Sequence, residues 1–598
     1  MPLTLAKLPY EQDPEAIELS RKRLGIRVEK HTPLALQRHL YRPRCPPVLR
    51  GAFTVRRASS PQSAMDHDER IKALFPHVHH KPIVEIAFHD GEKPMSIGRP
   101  LRLGVLFSGG PAPGGHNVLA GLHDFLASRN ISSSLVGFLG GPSGLIEGKY
   151  KEITEETLFR YRNQGGFHLL GSGRTKIETP EQLDAAFTTC ERLQLDGLVI
   201  VGGDDSNTNA CVLAEYIAAR GGTTCVVGIP KTIDGDLRNA YIEASFGFDS
   251  ACKLYAEIVS NLALDAVSAQ KVYHICRLMG RSASHITLEV ALQTHPNLAI
   301  ISEEVAAHKQ TLGMIVDTIA DLVCERAALA KNYGVIILPE GLVEFMPDIK
   351  SLIQELNEVL AQAPARNGVA AGDAPQNPSE EADEANALGD PDASLVVIRR
   401  IAQRLSKESA ELLSSLPSAF AVQLCMDRDP HGNVQVSKIE SERLVAEMVE
   451  RELEKRKQEG TYRGKFSAVT HFLGYEGRCG LPSNFDCNYC YVLGLVAGGL
   501  VENGCNGYIA RATGLTQAPE LWHVGGVPLT AMMTIERRKG RDIPVISKSV
   551  VDMAGPIFQN FKRERHSWAL SDDYRIVGPM QFYGDGADCL TISMQIGD

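Results

Sequence analysis

Two short stretches concentrate the residues able to do chemistry. Gly202-Gly203-Asp204-Asp205-Ser206 follows the apolar run Leu198 to Val201, and Lys231-Thr232-Ile233-Asp234-Gly235-Asp236 follows Cys225 to Ile229. Carboxylates set this closely can take a proton from a hydroxyl or offer hard oxygen ligands to a divalent cation. Glycines beside them let a backbone approach a ligand, and a following helix N-terminus favours an anion. Asp204 or Ser206 also fits a simpler role, capping the helix after Gly203. Taken together, the two stretches read as a phosphoryl-transfer centre.

The elements that must position these residues are legible around them. Both apolar runs read as strands of a parallel sheet covered on two faces. Asn207 to Arg220 has the length and composition of a crossover helix, which makes a βαβ unit. Ligands of open α/β folds sit at the carboxyl edge of the sheet, where both acidic stretches fall. The strand Arg102 to Phe107 empties into Ser108-Gly109-Gly110-Pro111, a glycine-rich turn that is a phosphate cradle in principle. It is not a Walker A sequence, because no lysine followed by Ser or Thr closes it. Gly165 to Lys176 is a turn carrying Arg174 and Lys176, cations able to neutralise a phosphate. Further strand ends deliver Met279-Gly280-Arg281, Glu340 and Gly474-Tyr475-Glu476-Gly477-Arg478, and Phe485 to Leu500 reads as a helix.

The whole chain sets wider bounds. A length of 598 residues predicts three or four domain-sized units. A hydrophobic content of 43% and a net charge of −10 describe a globular protein and argue against general binding to nucleic acid or a membrane surface. No run of about 18 apolar residues predicts a membrane span, and no apolar signal core opens the chain. The 13 scattered cysteines read as reduced thiols, so a cytoplasmic setting is expected. His77, His79 and His80 are expected on a solvated loop. Residues 1–98 read as an appended N-terminal extension, with a helix at Pro14 to Leu24. The tract 361–393 is rich in Ala, Pro, Asn, Gly and acids, and reads as a mobile insertion because it cannot bury enough apolar surface to offset ordering.

SGGPAPGGHN, LGSGRTK, GGDDSNTN, PKTIDGD, MGRSASH, PEGL and GYEGR stand in the order found in phosphofructokinases. From about residue 98 to 560 the chain resembles the long type of pyrophosphate-dependent phosphofructokinase. The resemblance implies an α/β fold of two Rossmann-like three-layer domains, with the active site in the cleft between them. Residues 99–248 would form a diphosphate-binding domain to which the chain returns after about 480. Residues 249–480 would bind fructose 6-phosphate, and 481–598 would supply C-terminal helices and a tail packed on the first domain. The implied reaction is reversible, Mg2+-dependent transfer of a phosphoryl group from diphosphate to the 1-hydroxyl of fructose 6-phosphate.

The same resemblance assigns roles residue by residue. Asp234 would be the base, and Asp204 the magnesium-linked carboxylate. Gly109, Gly110, Arg174 and Lys231 would bind diphosphate. Thr232, Ile233, Asp236, Met279, Gly280, Arg281, Glu340, Tyr475, Glu476 and Arg478 would contact the sugar phosphate. Lys271 would reach a neighbouring subunit's site, which implies a homodimer or higher homo-oligomer. Val272 stands where relatives often carry tyrosine, a departure beside that lysine. Asp205 and Lys231 are also the positions where ATP-dependent relatives typically carry glycine. A carboxylate at Asp205 would put negative charge where the α-phosphate of ATP must go, which favours diphosphate over ATP as donor. A non-catalytic regulatory subunit of the same fold is the other alternative, but it would be expected to have degraded motifs.

Overall fold

In the computed structural model the described residues are 38–51, 53–88, 98–361, 398–426, 434, 439–538, 541–580 and 591–597. The helix expected at Pro14 to Leu24 and, past Ala361, the insertion 361–393 lie outside them.

The strands in chain order begin with β1 (Phe53–Pro61), β2 (Pro82–Phe88), β3 (Arg102–Phe107), β4 (Ser134–Phe138) and β5 (Tyr150–Glu152). β6 (Gly197–Gly202), β7 (Cys225–Thr232), β8 (Phe246–Gly247), β9 (Tyr273–Leu278), β10 (Leu298–Ala299) and β11 (Gly334–Pro339) follow. The last are β12 (Ala468–Leu473), β13 (Tyr508–Thr513), β14 (His523–Pro528), β15 (Met533–Arg538) and β16 (Arg541–Ile546). They form a 10-stranded sheet in the order β1-β2-β14-β13-β7-β6-β3-β4-β5, with β8 beside β7, a 4-stranded sheet β10-β11-β9-β12, and the hairpin β15-β16. The α/β architecture with two principal sheets agrees with the fold class expected from the sequence.

In the large sheet β3, β4, β6 and β7 run parallel, and alternation along each strand sends side chains to two covered faces. Val199 and Val201 of β6 pack with the helices Gly115–Arg129 and Asn484–Glu502. Leu198 and Ile200 pack with the helix Asp204–Ala219 on the opposite face. Burial on both sides is why these strands read as uninterrupted apolar runs. The small sheet is parallel throughout. Its Ile275 and Ile336 meet the helices Leu312–Ala328 and Ser441–Gln458, while Cys276 and Ile337 meet the helix Phe248–Ala269.

Several expectations need correction. The N-terminal region is not merely appended: β1 pairs with β2, and β2 pairs antiparallel with β14, so both extend the large sheet. Tyr41 also donates its hydroxyl to Asn488 Oδ1 at 2.8 Å. The C-terminal helix Pro556–Ser571 does not pack on the large-sheet side. Trp568 stacks on His295 with centroids 4.1 Å apart, and Arg326 and Lys331 hold Asp572 just past the helix at 2.6 and 2.8 Å. An amphipathic helix shows that it will bury one face, but not which surface will cover it. His77 and His80 are exposed, as a solvated loop predicts, although His77 meets Glu215 at 2.5 Å; His79 differs, being buried against Asp68 at 2.9 Å. Among the described residues no helix is long and apolar enough to cross a membrane.

Candidate active site

The carboxyl ends of β3, β6 and β7 open onto one cavity of about 400 Å³. Gly109, Arg174, Asp204, Asp205, Lys231, Thr232, Asp234 and Asp236 line it together. Those residues come from four separate stretches of sequence, and the parallel sheet brings them to one edge. Ser108 and Ser206, whose hydroxyls lie 2.8 Å apart, tie the first glycine-rich turn to the helix Asp204–Ala219.

That helix begins at Asp204 with Gly203 as its N-cap, and no side chain caps it. Asp204 and Ser206 are therefore not the caps that their position allowed. Asp204 instead turns toward the cavity. Burial, countered by the Lys548 ammonium and reinforced by the neighbouring Asp205 and Asp236, leaves its carboxyl above the usual carboxylate range. Asn207 secures the turn by donating from Nδ2 to the carbonyls of Gly202 and Gly203 at 2.6 and 2.9 Å.

Lys231 is buried at the end of β7 and donates from Nζ to the Gly110 carbonyl at 2.8 Å. Gly109 has φ +83°, and a Cβ there would lie 3.2 Å from Lys231 Nζ. A larger residue would thus be both strained and pressed onto the lysine. Burial depresses the Lys231 ammonium to about 8, against the opposing pull of Asp234. Asp234 shifts the other way. Burial, then repulsion from Asp236 and Glu340, pushes its carboxyl to about 7, with Arg478 and Lys548 opposing. Its backbone N–H donates to Thr232 Oγ1 at 3.1 Å, which fixes the turn.

The small sheet contributes from the facing side. Arg478 stacks on Tyr475 at 5.1 Å, and its guanidinium carbon would lie 3.3 Å from a Cβ placed on Gly110. Gly280 N–H reaches Glu340 Oε2 at 3.4 Å, and Arg281 pairs with Glu344 at 3.3 Å. Tyr475 and Glu476 are exposed. Ile233 and Met279 are different: both side chains are buried in the apolar core, so only their backbones could face a ligand. Lys271 precedes β9 while Met279 follows it, so the two stand at opposite ends of that strand. The structure does not bring Lys271 to this chain's own cavity.

Lys548 escaped the sequence reading. It follows the β15-β16 hairpin and lines the cavity, with Nζ 3.7 Å from Asp204 Oδ2, 3.7 Å from Asp236 Oδ2 and 3.0 Å from Ser282 Oγ. Burial lowers this ammonium, but Asp204 and Asp236 outweigh it and the group stands above its ordinary value. No motif surrounds it, so the only signal was its place after a hairpin.

The chain belongs to the phosphofructokinase family. The sequence profile described as Phosphofructokinase matches residues 102–372. Full-length relatives extend the match. The chain is 48% identical to the Arabidopsis thaliana pyrophosphate–fructose 6-phosphate 1-phosphotransferase subunit beta 1, over 92% of each chain. It is 48% identical to the Treponema pallidum pyrophosphate–fructose 6-phosphate 1-phosphotransferase, over 93% of this chain and 95% of that one. A Porphyromonas gingivalis protein of the same name is 46% identical over 94% and 98%.

Proposed function

We propose that this protein transfers a phosphoryl group reversibly from diphosphate to the 1-hydroxyl of fructose 6-phosphate, giving fructose 1,6-bisphosphate and phosphate. The observation that carries the reading is the cavity at the sheet edge, where Gly109, Lys231 and Asp234 meet Asp204 and Asp205. The relatives named for this reaction, similar along almost their whole length, support it.

In the forward direction the sugar C1 oxygen forms a bond to the terminal phosphorus while the bridging P–O bond breaks. Asp234 takes the hydroxyl proton, a role suited to a carboxyl raised to about 7. Lys231 stabilises charge on the transferring group, and the N-terminus of the helix Asp204–Ala219 faces the diphosphate. Arg174 adds positive charge at the mouth. Glu340, Arg281 and Gly280 bind the sugar, with Tyr475, Glu476 and Arg478 at its phosphate end. Asp236 borders the same pocket, and Ile233 and Met279 offer backbone groups only.

Asp204 would hold magnesium. Its Oδ2 is buried without a hydrogen-bond partner among the described residues, and a hard carboxylate oxygen suits that ion. Magnesium, when bound, would neutralise charge on the diphosphate oxygens. Asp205 lines the same cavity as the carboxylate that keeps ATP out. The position of Lys271, at the far end of β9, fits a role in a neighbouring subunit and hence a homodimer or larger assembly. The direct test is turnover of fructose 6-phosphate with magnesium and either diphosphate or ATP. Diphosphate-dependent turnover is expected; turnover with ATP alone would refute the reading.

A further inference from the structure

The segment after β16 is a strap across the cleft. Ile546 N–H donates to Thr208 Oγ1 on the large-sheet side at 3.1 Å, and Ser549 N–H donates to the Asp236 carbonyl at 2.7 Å. On the small-sheet side, the Ser549 carbonyl lies 3.2 Å from His285 Nε2, and Val551 N–H donates to Glu303 Oε1 at 3.0 Å. Lys548 sits between these anchors. Its side chain therefore enters the cavity from a fixed backbone, not from a free tail.

We infer that Lys548 is a resident cation that occupies the space between Asp204 and Asp236 and weakens binding of a divalent metal until diphosphate arrives. This rests on the reading of Asp204 as the magnesium carboxylate. The geometry supports the role in three ways. Nζ is equidistant from the two carboxylates, at 3.7 Å, and its nearest hydrogen bond goes to the neutral Ser282 instead. The two acids are largely buried, with side chains 14% and 7% exposed, so water does little to offset their mutual repulsion. A positive charge held there lowers that repulsion, and a metal ion entering alone must meet the ammonium at close range. Diphosphate changes the balance, because its oxygens give both cations an anion to share. Metal and diphosphate would then bind with positive coupling, each favouring the other.

The test measures Mn2+ binding to the full-length enzyme without diphosphate, from the free-ion signal in electron paramagnetic resonance. Lys548→Met removes the charge at similar volume and should tighten Mn2+ binding about tenfold. Lys548→Arg keeps the charge and should bind Mn2+ as the wild type does. Lys548→Gln serves as the neutral variant if the methionine enzyme does not fold. Neutral variants that bind Mn2+ no more tightly than the wild type overturn the inference. Donor preference is measured separately by turnover, so a failure of the reaction reading is distinguishable from a failure of this one.

Discussion

Among single residues, the proposed phosphoryl transfer depends on two groups displaced toward neutrality from opposite sides. Asp234 must be ionised to accept a proton, and its raised value near 7 means that acid removes the active form. Lys231 must stay charged, and its lowered value near 8 means that alkali removes it. The kcat/KM profile should accordingly peak between about 7 and 8 and fall on both sides. Lys231→Arg should carry the alkaline limb to much higher pH, because a guanidinium keeps its charge there. A pH profile of the variant with an unchanged alkaline limb would remove Lys231 as its origin. Asp234→Asn should lower kcat by about 10²- to 10⁴-fold while the protein keeps its melting temperature. Near-normal turnover in that folded variant would exclude Asp234 as the base. Asp234, Lys231, Asp204 and Gly109 were legible because each closes a buried strand run. Lys548 was not, since a lone lysine becomes meaningful only when the fold sets Asp204 and Asp236 against it.

At the scale of elements, the crossing of Gly115–Arg129 with Asn484–Glu502 joins distant parts of the sequence behind the large sheet. A Cβ on Gly121 would fall on the Tyr491 carbonyl, and one on Gly494 would fall on the Val118 carbonyl. The helices thus touch backbone to backbone at a reciprocal pair of glycines. Gly121→Ala and Gly494→Ala should each cost about 1–3 kcal/mol or more, because backbone cannot rotate aside as a side chain can. Denaturant unfolding checks this, and midpoints equal to the wild type would show that the crossing can relax. The sequence announced the second helix over Phe485 to Leu500, and strands β6 and β7 by runs bounded with turn residues. It did not announce β1 and β2 as sheet members. β2 pairs antiparallel with β14 more than four hundred positions away and carries β1 with it, and no local pattern encodes a partner at that distance.

Across the whole molecule, two α/β units bring the acidic edge of the large sheet and the ends of β9, β11 and β12 toward one another. The terminal helix packs against the small-sheet side, where the sequence had placed the tail on the other unit, and the strap is anchored on both. On the proposed reaction, this cleft uses diphosphate because Asp205 and Lys231 stand in it. The two residues share one cavity, so their effects should not add. The decisive measurement is kcat/KM with diphosphate and with ATP for the wild type, Asp205→Gly, Lys231→Gly and the double variant. Asp205→Gly should create ATP-dependent turnover and weaken use of diphosphate, while Lys231→Gly alone should cost diphosphate turnover ~10²-fold or more. If neither Asp205→Gly nor the double variant gains any turnover with ATP, donor choice is set elsewhere in the cleft and the claim fails.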